Sequence, residues 1–132
     1  ELGLLTDLRK LALEDNAIVD SGPPLQNLTE LTSLSLRYHF LRGPFPPEIA
    51  LLTKLQRLDL RSTDVSGSLP ALDQLTQLKY LDVSHSKNLT GTIPEQLCAT
   101  LKTALIDICT TGNTTTQLIE CSCCNTTEWC AF

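Results

Sequence analysis

The chain has 132 residues, of which 42% are hydrophobic and 19% charged, and a net charge of −5. This length suits one domain, and the apolar content excludes a disordered tail. The acidic charge argues against nucleic-acid binding, which needs clustered lysine and arginine. Because no apolar run approaches the ~18 residues that span a bilayer, no transmembrane segment is expected in the sequence.

A leucine phrase recurs along the first two thirds of the chain. The phrase Leu-x-x-Leu-x-Leu (Val in the last copy) begins at Leu8, Leu31, Leu55 and Leu78, with spacings of 23, 24 and 23 residues. This period lies within the 20–29 residue range of leucine-rich repeats. Alternate leucines predict short strands with one face turned inward, and one such strand cannot bury that face alone. We therefore expect stacked coils whose strands form a parallel sheet around a shared leucine core.

The second half of the repeats starting at 31, 55 and 78 has the form L-x-G-x-[IFL]-P, with Val in place of the first Leu in one copy, whereas the first repeat has Asp20 where the glycine is usual. Its copies are Leu41–Pro46, Val65–Pro70 and Leu89–Pro94. Glycine permits a backbone bend that a Cβ would hinder. Proline fixes φ and removes a hydrogen-bond donor, which suits a turn outside the sheet. We expect short 3₁₀ or irregular turns on the convex side.

The repeats are expected to occupy residues 1–100, with a partial repeat over 1–7 and full repeats starting at 8, 31, 55 and 78. Since Glu1–Leu8 aligns with Glu48–Leu55, the chain opens inside a repeat. We expect it to be a fragment of a longer protein, or to have a neighbouring subunit or missing repeats covering that end. Residues 101–132 are expected to form a degenerate last repeat and a cysteine-rich C-terminal cap, with Leu101, Leu105 and Ile108 continuing the apolar face and Trp129 filling the cap.

Six cysteines lie in the last third of the chain, which is the number expected of three disulfides in an oxidising compartment. Cys-x-Cys-Cys also resembles a thiolate metal site, but no pair of CxxC knuckles accompanies it, so neither a metal nor a cofactor is expected. Fifteen pairings are possible; we favour Cys124 with Cys130, and Cys121 and Cys123 with Cys98 and Cys109. The six are Cys98, Cys109, Cys121, Cys123, Cys124 and Cys130.

Four N-x-[ST] sequons are candidate sites of N-linked glycans. Together with the cysteine cluster they predict a protein that is secreted or lies on the extracellular face of the cell surface. The asparagines are Asn27, Asn88, Asn113 and Asn125.

The repeat resembles the plant-type leucine-rich repeat of receptor ectodomains and secreted inhibitors. The tail, with Cys121-Ser-Cys123-Cys124 near its end, resembles that of secreted or cell-surface repeat proteins from diatoms and related algae. This resemblance implies an α/β solenoid with a parallel sheet on its concave face. It also implies a ladder of asparagines that hydrogen-bond neighbouring loops. The equivalent residues here are Asn16, His39, Thr63 and Ser86, so threonine and serine are expected to replace part of that ladder.

Stacked strands arrange their outward side chains in columns across the concave face. The columns are Lys10, Ser33, Arg57, Tyr80; Ala12, Ser35, Asp59, Asp82; Glu14, Arg37, Arg61, Ser84; and Asp15, Tyr38, Ser62, His85. All of these side chains are expected to face solvent. Arginine and tyrosine dominate binding hot spots, so these columns predict a partner-binding face. The candidate binding residues are Arg37, Tyr38, Arg57, Asp59, Arg61, Tyr80, Asp82 and His85.

Asp59 and Asp82 occupy neighbouring positions of one column, at a separation that would suit a retaining glycosidase. Two arginines flank Asp59, however, and an open sheet offers no water-excluding pocket to raise a carboxyl pKa. We therefore expect a binding protein and not an enzyme. The leading hypothesis is an extracellular recognition module with a protein or glycan ligand on its concave face. A structural subunit of an extracellular assembly, and a secreted inhibitor or surface binder, for example of wall-degrading enzymes, remain alternatives.

Overall fold

The computed structural model describes residues 2–14, 24–38, 42–69, 72–86, 88–105 and 118–121. In these ranges two parallel sheets run along the stack. The first sheet has the order β1-β2-β4-β6-β8, and the second has the order β3-β5-β7-β9. The strands are β1 (Lys10–Ala12), β2 (Ser33–Ser35), β3 (Arg42–Pro44), β4 (Arg57–Asp59), β5 (Asp64–Ser68), β6 (Tyr80–Asp82), β7 (Leu89–Ile93), β8 (Thr103–Leu105) and β9 (Leu118–Cys121).

The first sheet has the register that the leucine phrase predicts. Leu11 pairs with Leu34, Leu34 with Leu58, and Leu58 with Leu81, while Lys10 and Ala12 begin the two columns on either side. Leu34, Leu58 and Leu81 are fully buried. The period of two along each strand therefore sends the leucines into one continuous core and their neighbours to the concave face.

The L-x-G-x segments form a second parallel sheet, which was not predicted from the sequence. Phe45 N–H donates to the Ser66 carbonyl and Leu69 N–H to the Thr90 carbonyl, linking successive coils. Gly43, Gly67 and Gly91 have φ values of 100°, 89° and 116°, a region that L side chains rarely adopt. At Gly91 a Cβ would also lie 3.0 Å from the Ser68 Oγ. The glycines thus supply the backbone bend inside a strand.

Short 3₁₀ helices follow the second sheet on the convex side, as the sequence predicts. Pro46 and Pro94 directly precede two of these helices. The missing N–H of proline is tolerated there, because the N–H groups at the start of a helix have no hydrogen-bond partner within the helix. Three of the helices each contribute one buried residue to the core, namely Ile49, Leu72 and Leu97, and Leu2 of the first helix packs against it. The described helices are Leu2–Leu4, Pro47–Leu51, Leu72–Gln74 and Glu95–Ala99.

Buried hydroxyl groups take the place of part of the asparagine ladder. The Ser86 Oγ donates to the Leu60 carbonyl at 2.8 Å and accepts the Thr63 N–H at 3.2 Å. The Thr63 Oγ1 lies 3.1 Å from the Ser86 Oγ and donates to the same Leu60 carbonyl at 3.1 Å. Since both side chains are buried, these bonds satisfy backbone groups of adjacent coils, as predicted.

The stack continues into the C-terminal region. Ala104 in β8 is fully buried and pairs with Leu81, and Ile119 in β9 is buried and pairs with Gly91. Cys98 is disulfide-bonded. The pairing of the six cysteines and the cap over 101–132 stay predictions. Several residues for which the sequence makes a prediction lie outside the described ranges: Asp15, Asn16, His39, Ile108, Cys109, Asn113, Cys123, Cys124, Asn125, Trp129 and Cys130.

Candidate functional site

The concave sheet brings the candidate residues together in the predicted columns. Arg57 pairs with Ser33 on one side and Tyr80 on the other, and Asp59 pairs with Ser35 and Asp82. The expectation that every column side chain faces solvent is wrong for Ser35, Asp59 and Asp82 of the second column and for Ser84 of the third, which are all buried. Asp59 is 3% exposed and Asp82 is 2% exposed. Side chains of the neighbouring columns cover them, so the two carboxylates support the surface and do not form it.

Arg57 and Tyr80 form the cover over Asp59. The Arg57 guanidinium lies 3.6 Å from the centroid of the Tyr80 ring, a close cation–π contact. Its Nη2 donates to the Asp59 Oδ2 at 3.1 Å, while the Asp59 Oδ1 accepts the Arg61 N–H at 3.3 Å. The buried carboxylate is therefore paired with a cation and hydrogen-bonded, which offsets the cost of removing its charge from water. In return it holds Arg57 flat against the tyrosine.

Tyr80 and Ser84 satisfy the second buried carboxylate. The Tyr80 hydroxyl donates to the Asp82 Oδ2 at 3.2 Å. The Asp82 Oδ1 accepts the Ser84 N–H at 3.0 Å and the Ser84 Oγ–H at 2.6 Å. Burial and the Asp82 charge raise the pKa of Tyr80, because the phenolate would be poorly solvated beside a carboxylate. Tyr80 is thus held as a neutral donor with its ring facing the concave surface.

Glu14 and Arg37 form an ion pair across the first two coils, with 2.6 Å between the Oε2 and Nη2 atoms. The Ser35 Oγ donates to the other Glu14 oxygen at 3.1 Å. The hydrogen bond to Arg37 lowers the pKa of Glu14, and the same bond raises the pKa of Arg37. Arg37 also lies 5.7 Å from the centroid of the Tyr38 ring. This pair keeps Glu14 charged and orients Arg37 beside an exposed tyrosine.

Arg61 differs from the other two arginines. The sheet places it one coil beyond Arg37, where the Tyr38 N–H donates to the Arg61 carbonyl at 3.1 Å. The Arg61 Nε is buried and has no hydrogen-bond partner. Among the described residues its guanidinium makes no ion pair. Buried donors are rarely left unpaired, so Arg61 retains hydrogen-bonding capacity that the folded chain does not use.

Backbone strain recurs at the edge of the concave face. Tyr38, Ser62 and His85 have φ values of 57°, 57° and 60°, in the left-handed region that non-glycine residues rarely occupy. They are equivalent positions in three successive coils. Such strain costs about 1 kcal/mol or more per residue and persists where the surrounding structure imposes it. The turn therefore fixes the direction in which Tyr38 and His85, both exposed, leave the sheet.

The candidate residues thus divide into two groups. Arg37, Tyr38, Arg57, Arg61, Tyr80 and His85 reach the surface, which we call the concave patch, and Asp59 and Asp82 lie beneath it. Sequence reasoning left Glu14 out of the candidate set. Glu14 could have been found from the sequence, because it occupies the same column as Arg37, one repeat earlier. Opposite charges on adjacent parallel coils come within ion-pair distance. Within the described ranges no cluster of three or more metal-binding side chains occurs, and no helix is long and apolar enough to cross a membrane.

Comparison with solved structures agrees with this architecture. The ectodomain of the Arabidopsis thaliana receptor kinase SOBIR1 matches 75% of this chain with a TM-score of 0.67 and 33% identity. The ectodomain of the Arabidopsis thaliana receptor kinase GASSHO1/SCHENGEN3, in complex with CASPARIAN STRIP INTEGRITY FACTOR 2, matches 92% with a TM-score of 0.63 and 28% identity. The Arabidopsis thaliana BIR3–SERK2 complex matches 91% with a TM-score of 0.59 and 27% identity.

The chain is short beside these proteins, since it covers 55% of the SOBIR1 chain, 13% of the GASSHO1 chain and 58% of the third. No protein-family model and no curated protein matches the sequence. The recurring leucine phrase, the parallel concave sheet with its 3₁₀ turns, and the likeness to receptor ectodomains together identify this chain as a leucine-rich-repeat protein.

Proposed function

We propose that the chain is an extracellular recognition module that binds a protein ligand through the concave patch. The observation that carries this proposal is the layered arrangement of the patch. Arginine and tyrosine side chains form its surface, and buried carboxylates hold two of them in place. Ordering long side chains is one of the costs of association, so a surface that is ordered beforehand binds more tightly for the same contacts. Tyrosine and arginine are also the residues most enriched at binding hot spots.

The structural neighbours support protein as the ligand class. GASSHO1 is in complex with CASPARIAN STRIP INTEGRITY FACTOR 2, and BIR3 is in complex with SERK2. The hydrogen bonds of the two aspartates also favour binding over hydrolysis. A retaining glycosidase needs one carboxyl as a free nucleophile and the other as an acid, whereas both carboxylates here are buried and engaged.

Three features support an extracellular setting. The neighbours are ectodomains of membrane receptors. The cysteine cluster is typical of oxidising compartments. Asn27 and Asn88 are exposed and lie outside the concave sheet, so glycans attached there would leave the concave patch accessible.

The test is a peptide selection followed by matched variants. Phage-displayed random peptides are selected on the immobilised wild-type protein, and the binders are measured on two double variants. Tyr38→Ala/Arg61→Ala removes two patch side chains that make no hydrogen bond within the described chain, so the buried carboxylates keep their partners. Leu51→Ala/Lys54→Ala removes an apolar and a basic side chain, both exposed, outside the concave sheet.

We expect the selected peptides to lose at least about tenfold in affinity on the patch variant, the effect typical of hot-spot residues, and to bind the control variant as they bind wild type. Equal binding to both variants, with both folded by circular dichroism, would contradict a concave binding face.

A further inference from the structure

We infer that the concave patch takes a partner with an acidic side chain, whose carboxylate is bound by the guanidinium of Arg61 beside that of Arg37. This inference rests on the proposed function and names the chemistry of the ligand. It starts from a contrast between three arginine side chains of the described residues. The guanidinium groups of Arg37 and Arg57 each bond to a carboxylate, whereas Arg61 reaches Asp59 only through its backbone N–H.

The hydrogen bonds of the arginines locate the unused donors. Arg57 is committed to Asp59 and to the Tyr80 ring, and one Nη of Arg37 is committed to Glu14. Within the described chain the Arg61 guanidinium has no acceptor, and the Nε atoms of both Arg37 and Arg61 are buried without one. The two residues are equivalent positions of adjacent coils, whose strands lie about 4.8 Å apart. A single acceptor group placed between them reaches both guanidinium groups.

Charge complementarity selects an acidic partner. Although the chain carries a net charge of −5, the two aspartates of this face are buried and Glu14 is paired with Arg37. The charges that reach solvent on the described part of the patch are therefore mainly those of arginines. A positive surface on an acidic protein attracts acidic partners and repels basic ones, which gives specificity as well as faster encounter.

The number of free groups favours a carboxylate over a doubly charged anion such as phosphate. One guanidinium, that of Arg61, has no carboxylate partner among the described residues. A single carboxylate neutralises its charge and accepts two parallel N–H bonds from it. Tyr38, which is 43% exposed beside this position, offers an apolar ring against which the remainder of a peptide can pack.

The experiment uses the full chain and two peptide pools that differ in one position. Both pools are N-acetylated, C-amidated hexapeptides of random sequence, with glutamate fixed at the third position in one and glutamine in the other. Because both peptide ends are blocked, the two pools differ systematically in charge only at the fixed side chain. Binding of each pool to immobilised protein is quantified by mass spectrometry, on wild type, Arg61→Gln, Arg61→Lys and Lys79→Gln.

We expect wild type to retain the glutamate pool about 10- to 100-fold more than the glutamine pool, as for a hydrogen-bonded charged pair. Arg61→Gln should remove this preference, and Arg61→Lys should restore only part of it because lysine lacks the planar fork. Lys79→Gln, which removes the same charge from a residue just outside β6, should leave the preference unchanged.

Three results would overturn the inference. They are equal retention of the two pools by wild type, an unchanged preference in Arg61→Gln, and displacement of the glutamate pool by inorganic phosphate more readily than by acetate at equal ionic strength. The first two results would not contradict a concave binding face, provided that the pools still bind Tyr38→Ala/Arg61→Ala more weakly than Leu51→Ala/Lys54→Ala. Failure of both pools to bind wild type would instead count against the proposed function as well.

Discussion

Replacing Ser86 with alanine tests whether buried hydroxyl groups hold adjacent coils together. The Ser86 Oγ is the acceptor for the buried Thr63 N–H at 3.2 Å and a donor to the Leu60 carbonyl at 2.8 Å. Alanine removes both bonds. The Leu60 carbonyl keeps a partner in the Thr63 Oγ1 at 3.1 Å, but the Thr63 N–H loses its acceptor. An unsatisfied buried donor costs about 1–3 kcal/mol, so we expect Ser86→Ala to lower the free energy of unfolding by about 2 kcal/mol.

Urea unfolding followed by circular dichroism measures this loss. With a slope of about 2 kcal/mol per molar urea, the midpoint should fall by about 1 M. Ser33→Ala is the control, because Ser33 in β2 is partly exposed and its side chain makes no hydrogen bond within the described chain. Its free energy of unfolding should stay within about 0.5 kcal/mol of the wild-type value, as expected of a surface change.

Thr63→Val completes a double-mutant cycle. It removes the hydroxyl that donates to the Leu60 carbonyl and lies 3.1 Å from the Ser86 Oγ, while leaving the Thr63 N–H in place. Because the two side chains share partners, the double variant should lose less stability than the sum of the single losses. Strict additivity, or a Ser86→Ala midpoint equal to that of Ser33→Ala, would refute the interpretation that these hydroxyls replace the asparagine ladder.

Three further predictions concern the concave face. Ser62→Gly should raise the free energy of unfolding by up to about 1 kcal/mol and Ser62→Val should lower it, because a φ of 57° strains every side chain and branched ones most; the reverse order in urea would contradict this. Asp82→Ala should lower it by about 2–3 kcal/mol by leaving the Ser84 N–H and the Tyr80 hydroxyl without their acceptor, and a loss below about 0.5 kcal/mol would show that water replaces the carboxylate. The pKa of Tyr80 is raised in the folded state. The contribution of Tyr80 to the free energy of unfolding should therefore be fully present below the pKa of the unfolded state, near pH 10, and should disappear as the pH rises through the pKa of the folded state. The absorbance of wild type minus that of Tyr80→Phe follows this ionisation at 295 nm, and ionisation at or below about pH 10 would contradict it.

The leucine spacing was sufficient to predict the stack and the register of the concave sheet. Successive side chains of a strand point to opposite faces, so the leucines of each phrase define one buried face and the residues between them define the other. This is why Arg57 and Tyr80 were predicted to be neighbours, and they pair in the sheet. The 3₁₀ turns followed from the prolines in the same local way.

The second sheet and the layering of the concave patch required the tertiary structure. The L-x-G-x segments become strands because each forms hydrogen bonds with the next coil. The residues of one repeat do not by themselves indicate which residues of the next coil will pair with them. The burial of Asp59 and Asp82 likewise depends on side chains from other positions, since Arg57 and Tyr80 fold over them. Which residues share a column follows from the amino-acid pattern alone, because strand periodicity is a local property. Which side chains cover others, and which arginine of the concave patch lacks a carboxylate partner among the described residues, depends on the folded stack, because contacts such as Glu14–Arg37 and Arg57–Tyr80 join different coils.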